Sequence, residues 1–354
     1  MKLMKWSVLA VISVSLLTAC GSGGSKVSLS GAGATFPAPF YNDATKQYGE
    51  ISGLRVSYGA TGSGAGIRNL QDLTVDFGGT DVFLSDEEMK RMPGEVLHIP
   101  TCIGGVVMGY NLPGVTELNL SPTLVTKMYM GEISNWNDPQ IAAVNPGVTF
   151  PDQAITPVYR SEGSGTTAVF SGFMSAVDSV WAATFGAGKS IDFTNGIAAK
   201  GNPGVAGVIN ETVGSIGYLG SEYTLALNIP SAKMLNSAGN YVDANMESIS
   251  LSGDVADMPD DTRKVISNSA NPNAYPISTF TWLITYKEQS YNNRSVAQAK
   301  ALQNFLLYLV GDEGAESASK THFSPLPAAA RAKAEAAINS MTYGGALLKD
   351  LGIE

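Results

Sequence analysis

Residues 159–167, Tyr-Arg-Ser-Glu-Gly-Ser-Gly-Thr-Thr, gather a guanidinium, a carboxylate and several hydroxyls around two glycines. The run follows an extended apolar stretch, Ala154 to Val158, and opens a helical one, Ala168 to Phe185, so it reads as strand, turn and helix. Ser164 is placed as an N-cap, and Gly163 and Gly165 let the backbone turn tightly. The first N–H groups of the helix then point into the turn with their dipole, which makes an anion-binding end. Arg160 adds a planar fork of donors, and the hydroxyls of Ser164 and Thr166 add more. The chemistry is recognition of a small oxyanion by hydrogen-bond donors. A lone Gly-Ser-Gly-Thr is equally a good helix start, so the other turns of the chain decide between the two.

Three earlier turns repeat the pattern. Val27-Ser-Leu leads into Ser30-Gly-Ala-Gly-Ala-Thr35-Phe36-Pro37, where Pro37 suits the first turn of a helix running to about Gly49. Leu54 to Tyr58 leads into Gly59-Ala-Thr-Gly-Ser63-Gly-Ala-Gly66 and a helix through Leu73. Val75 to Asp81 is a strand ending on a carboxylate, followed by the capping-box start Ser85-Asp-Glu-Glu88. Each turn stands at the carboxyl end of a strand, where ligands bind in open α/β sheets.

The elements that position these turns alternate strand and helix, as in a mainly parallel sheet covered by helices. At 354 residues, two domains are expected. The apolar run Cys102 to Tyr110 reads as a strand carrying the chain into a second lobe, and Pro276 to Tyr286 as one returning it. Phe170, Phe173, Met174, Val177 and Trp181 recur at helical spacing and mark a buried face. Ser121-Pro122, Asn202-Pro203-Gly204 and Pro327 each open a further helix. The lobes are expected at 27–103 with 279–354, and at 104–278.

Charge excludes some partners. The chain carries 22 basic and 31 acidic residues, a net −9, with 15% charged and 44% hydrophobic residues. A surface this acidic does not suit nucleic acid or anionic lipid, so an anion site must be local. Met1 to Lys5 is basic, Trp6 to Leu17 is mostly apolar but short for a membrane span, and Leu17-Thr18-Ala19-Cys20 resembles a bacterial lipobox. Residues 1–19 are expected to be cleaved, Cys20 acylated, and 20–26 to form a Gly/Ser tether. Cys102 then has no intramolecular partner and reads as a small buried hydrophobe.

Catalytic patterns are missing. His98 and His322 are the only histidines, no metal-ligand spacing occurs, and neither Ser63 nor Ser164 lies in a Gly-x-Ser-x-Gly elbow. Ala183-Thr-Phe-Gly-Ala-Gly188-Lys189-Ser190 mimics the end of a P-loop without its first Gly or a preceding strand, and reads as a helix C-terminus with Gly at the cap.

Taken together, Ser30 to Pro39, Asp76-Phe-Gly-Gly-Thr-Asp81 with Leu84-Ser-Asp86, Ile103-Gly-Gly-Val-Val107 and Arg160-Ser-Glu-Gly-Ser-Gly-Thr166 resemble segments of the phosphate-binding components of bacterial high-affinity phosphate ABC importers, the PstS type. The resemblance runs from about Val27 into the C-terminal helices. It implies an α/β, two-lobed, type II periplasmic-binding-protein fold, with mixed sheets flanked by helices and a two-strand hinge. The implied phosphate contacts fall on Ala34, Thr35 and Phe36, on Ser63, on Asp81, and on Arg160, Ser164, Gly165 and Thr166, with Glu162 orienting Arg160 by a salt bridge. Thr80 stands where the family often has Ser, and Ser63-Gly-Ala-Gly66 varies its more usual Ser-Ser-Gly-Gly. The resemblance further implies an extracytoplasmic, monomeric binder with no cofactor, no metal and no enzymatic activity, partnered by the permease subunits of a phosphate importer and by the membrane through Cys20. A receptor for sulfate or a similar oxyanion, and a phosphatase, stay open as alternatives.

Overall fold

A computed structural model describes residues 27–253 and 255–352. The signal peptide, lipobox and tether expected over residues 1–26 lie outside them.

Eight strands form one curled sheet: β1 (Ser28–Gly33), β2 (Arg55–Ala60), β3 (Phe77–Thr80), β4 (Val96–Tyr110), β5 (Thr156–Arg160), β6 (Ile197–Ala199), β7 (Ser215–Gly220) and β8 (Ser278–Tyr286). Their spatial order is β2-β1-β3-β8-β4-β7-β5-β6. β1 is parallel to β2 and β3, and β5 is parallel to β6 and β7. Between these parallel groups stand the antiparallel β8 and β4. β4 pairs with β8 through Gly105 and with β7 from Val106 onward, so one 15-residue strand belongs to both halves of the sheet.

β4 starts six residues earlier than the apolar run suggested. Pro100 falls inside it and would ordinarily remove a ladder bond, but the register shifts between Thr281 and Trp282, opposite Thr101, and a proline is tolerated at such an irregularity. The extra residue also turns the Thr101 hydroxyl to Tyr41, with an O···O distance of 2.9 Å.

The helices that carry the turns are α1 (Ala38–Ser52), α2 (Ser63–Gln71), α3 (Asp86–Arg91), α4 (Gly165–Val177), α5 (Ser179–Thr184), α6 (Gly201–Glu211) and α7 (Ser221–Leu227). The expected helix from Ala168 to Phe185 is two helices. Asp178 has extended backbone and a buried side chain that accepts the Val180 and Trp181 N–H groups, both at 2.9 Å, so it ends α4 and caps α5. Trp181 still packs edge-on against Phe170 at 5.2 Å, which keeps Phe170, Phe173, Met174 and Trp181 in one core, whereas Val177, expected on the same buried face, is exposed where α4 ends. The Ser85–Glu88 capping box forms as expected.

Candidate functional site

β1, β2, β3 and β5 deliver their loops to one place, beside the paired strands β4 and β8. Thr35 follows β1, Ser63 opens α2 after β2, Asp81 follows β3, and Arg160 ends β5 ahead of the Ser164 cap of α4. All four hydroxyl residues, Thr35, Ser63, Ser164 and Thr166, are buried with Asp81 and Arg160.

The contacts divide into donors and the groups that aim them. Arg160 Nε donates to Glu162 Oε1 at 2.9 Å, and Nη2 bonds the same oxygen. Nη1 donates to Thr166 Oγ1 at 3.2 Å. Glu162 is itself anchored by the Gly201 N–H, 3.2 Å from each carboxylate oxygen. The Ser164 hydroxyl accepts the Thr167 N–H at 3.0 Å, leaving the N–H groups of Gly165 and Thr166 without intrahelical acceptors. The Ala34 N–H is already committed to Gly79 O at 2.9 Å, and its carbonyl accepts the Tyr58 hydroxyl at 2.8 Å, so Ala34 shapes its loop. The fully buried Phe36 packs its ring on Phe323 and fills the space above Gly104.

Asn202 had registered in the sequence only as part of a helix start. Its side-chain amide donates to Thr35 Oγ1 at 3.0 Å and to Thr166 Oγ1 at 3.1 Å, and its backbone N–H adds a second bond to Thr35 Oγ1 at 3.1 Å. Both hydroxyl oxygens are thereby used as acceptors, which frees both O–H groups to donate into the site. The amide orientation is fixed in turn, because Asn202 Oδ1 accepts the Gly220 N–H at 3.1 Å. Tyr218 was also missed: it accepts the Arg160 backbone N–H at 3.2 Å and bonds the Thr167 hydroxyl at 2.8 Å. Tyr223 donates to the Thr35 carbonyl at 2.5 Å. These residues sit in apolar strands or helix starts, where no local pattern marks them.

Asp81 is the acceptor in this ring of donors. Thr281, on β8, donates to Oδ1 at 3.0 Å, and the Asp81 N–H reaches Ser63 Oγ at 3.4 Å. Burial pushes the carboxyl up to about 7, against the opposing pull of the Thr281 hydroxyl, the Arg160 charge and the Ser63 and Thr166 hydroxyls. Burial likewise raises the Glu222 carboxyl well above its ordinary range; neither oxygen has a partner among the described residues, and the Asp81 charge adds to the rise.

The two sides touch. Gly64 N donates to Gly163 O at 3.0 Å, and a β-carbon on Gly165 would stand 2.4 Å from Ser63 Oγ and 2.5 Å from Asp81 Oδ2, so only Gly fits there. A cavity of about 410 Å³ opens alongside, lined by Asp81, Phe83, Val169, Phe173, Ile266 and Trp282 among others.

A donor-lined, closed cleft between two halves of a sheet joined by crossing strands defines a substrate-binding protein of the two-lobed periplasmic kind. The model of the PBP superfamily domain matches residues 21–313. Phosphate-binding protein PstS of Xylella fastidiosa is 34% identical over 305 residues, 85% of this chain and 82% of that one; the protein of the same name from Pasteurella multocida is 32% identical over 304 residues, 85% and 86% of the two chains. This chain therefore belongs to the PstS family within the PBP superfamily. Among solved structures, a high-affinity periplasmic phosphate-binding protein (PfluDING) bound with phosphate superposes with a TM-score of 0.73 at 23% identity, over 87% of this chain and 93% of that one. The phosphate-binding protein of Stenotrophomonas maltophilia gives 0.68 at 22%, with the same coverage. At these identities the likeness is one of fold.

Proposed function

We propose that this protein binds inorganic phosphate between its lobes outside the cytoplasm and hands it to the membrane permease of an ABC importer, with no covalent chemistry of its own. The observation that carries this reading is the pairing of one buried carboxyl, Asp81, with a ring of donors from Arg160, Thr35, Ser63, Ser164 and Thr166. The donors hold an oxyanion by charge-assisted bonds in a dry site, where they are stronger than in water. Asp81 selects among oxyanions where it is ionised, above about pH 7: phosphate there still keeps a proton to give the carboxylate, whereas sulfate has none. The named relatives, called phosphate-binding proteins, support the same ligand. Calorimetry tests it: phosphate should bind one to one, and sulfate in large excess should neither bind nor compete. Equal competition by sulfate would overturn the assignment.

The proposed moving bodies are 27–103 with 279–354, and 104–278. Within the second, residues 255–266 ride on the first, since Thr262 Oγ1 donates to His98 O at 2.6 Å and Arg263 pairs with Asp86 at 2.7 Å. Anchoring through acylated Cys20 rests on Leu17-Thr18-Ala19-Cys20. Cys20→Ser should leave the protein unprocessed or released, and an unchanged mass and membrane fractionation would count against the anchor.

A further inference from the structure

The P-loop-like stretch 183–190 and the capping box at Ser85 supply no side chain to the anion site, yet they meet. Lys189 Nζ stands 2.7 Å from Glu88 Oε1, joining the loop between β5 and β6 to α3, which precedes β4. Each end is also tied within its own side of the cleft. Glu88 Oε2 accepts the Ser85 N–H at 3.0 Å in the capping box, which fixes its carboxylate at the first turn of α3. On the other side, Gly188 N donates to Ser171 Oγ at 3.1 Å, tying the loop to the flank of α4. The Lys189 carbonyl accepts the Ser164 N–H at 2.8 Å, so the residue carrying the ammonium also fastens the cap of the anion-facing helix. The side chains of Lys189 and Glu88 are 23% and 20% exposed. Burial pushes the Glu88 carboxyl up, but the Lys189 ammonium and the Ser85 N–H outweigh it and bring it below its ordinary range.

We propose that Glu88 and Lys189 form a latch across the cleft, a positioning pair that draws the N-terminal turn of α4 toward the opposite lobe and slows release of the bound anion without touching it. The proposal rests on the two-lobed binding reading above. Since the pair forms only when the lobes meet, it stabilises the closed state alone, and its loss appears in the dissociation rate. The partners stand 101 positions apart in the chain; the Glu88 carboxylate is oriented by the Ser85 N–H and Lys189 is fixed at its backbone, so the freedom lost on joining is mainly that of the lysine side chain.

The test is phosphate release by stopped flow from wild type, Glu88→Gln, Lys189→Met and the double variant. Gln keeps an oxygen for the Ser85 N–H, so the helix cap survives. Each single change should speed release roughly three- to fivefold at low salt, and the double variant should be no faster than either single one. At about 1 M salt, where the screening length falls to ~3 Å, the variants and wild type should converge. Small-angle scattering of the phosphate-free proteins supplies a readout that needs no ligand: the variants should be more expanded than wild type at low salt and indistinguishable at high salt. If wild type binds no phosphate, the ligand assignment fails while scattering still decides the latch. If wild type binds and every variant matches it in release and in dimensions, the latch is wrong and the binding reading stands.

Discussion

On the proposed reading, Asp81 concentrates the selectivity of the site in one ionisable group. Its ordinary value of 3.8 is lifted to about 7 in the closed cleft, chiefly by burial. Between these values the closed protein binds more protons than the unfolded chain. The stability due to the protonated carboxyl is therefore fully present below about 3.8 and is lost as pH rises through about 7. Asp81→Asn keeps the shape and removes the charge. The empty variant should thus be more stable than wild type above neutrality, by roughly 1–4 kcal/mol, with the difference shrinking as the pH falls toward the ordinary carboxylate range. Thermal melts across that window check it, and a pH-independent difference would refute it. In binding above about pH 7, where Asp81 is ionised, the Asn amide can donate where the carboxylate could only accept. Sulfate should then compete with phosphate far better than it does in wild type, because a site built around a ligand proton rejects the analogue lacking it by on the order of 10⁴. If sulfate competes equally poorly with both proteins, selectivity resides elsewhere.

The elements meet with almost no clearance. The α4 turn closes on the start of α2 and on Asp81, and Gly165 is the point of closest approach. Gly165→Ala favours the helix in which it lies, since Ala is the better helix former. It also puts a methyl against Ser63 Oγ and Asp81 Oδ2, so the lobes must stay apart or the loops must shift, at an overpacking cost of roughly 1–3 kcal/mol. The expected result is phosphate binding weakened about 5- to 100-fold with secondary structure kept. Unchanged affinity would mean that this contact is absent from the bound state. Division of the helical run at Asp178 belongs to the same scale. It lets α5 turn back so that Trp181 packs edge-to-face with Phe170 and Tyr129, which braces the helix whose N-terminus faces the site.

For the whole molecule, the sheet order makes two strands, β4 and β8, the covalent bridge at its centre. A ligand held by Thr35, Ser63 and Asp81 on one side and by the Arg160–Thr166 turn on the other favours the closed arrangement by its differential affinity. Scattering should show a smaller radius of gyration on adding phosphate, with no change on adding sulfate. An unchanged radius would argue that the cleft is already shut without ligand.

Local rules were enough to find much of this in the sequence. The Ser164 cap, the capping box of Ser85 and Glu88, the glycine turns and Asp81 at a strand end all depend on neighbours within a few residues, and each lies where those rules put it. The family resemblance of the same segments supplied the two-lobed fold. What the sequence could not supply is set by contacts between distant parts. Asn202 reaches Thr35 across 167 residues, Thr281 reaches Asp81 across 200, and Lys189 reaches Glu88 across 101. None has a local signature, because a side chain that orients another one needs only the right position, and that position is decided by the order of strands in the sheet. The proline inside β4 follows the same logic, decided by a partner strand with a shifted register, whereas the break at Asp178 is a local cap of the next helix that the run of apolar residues obscured.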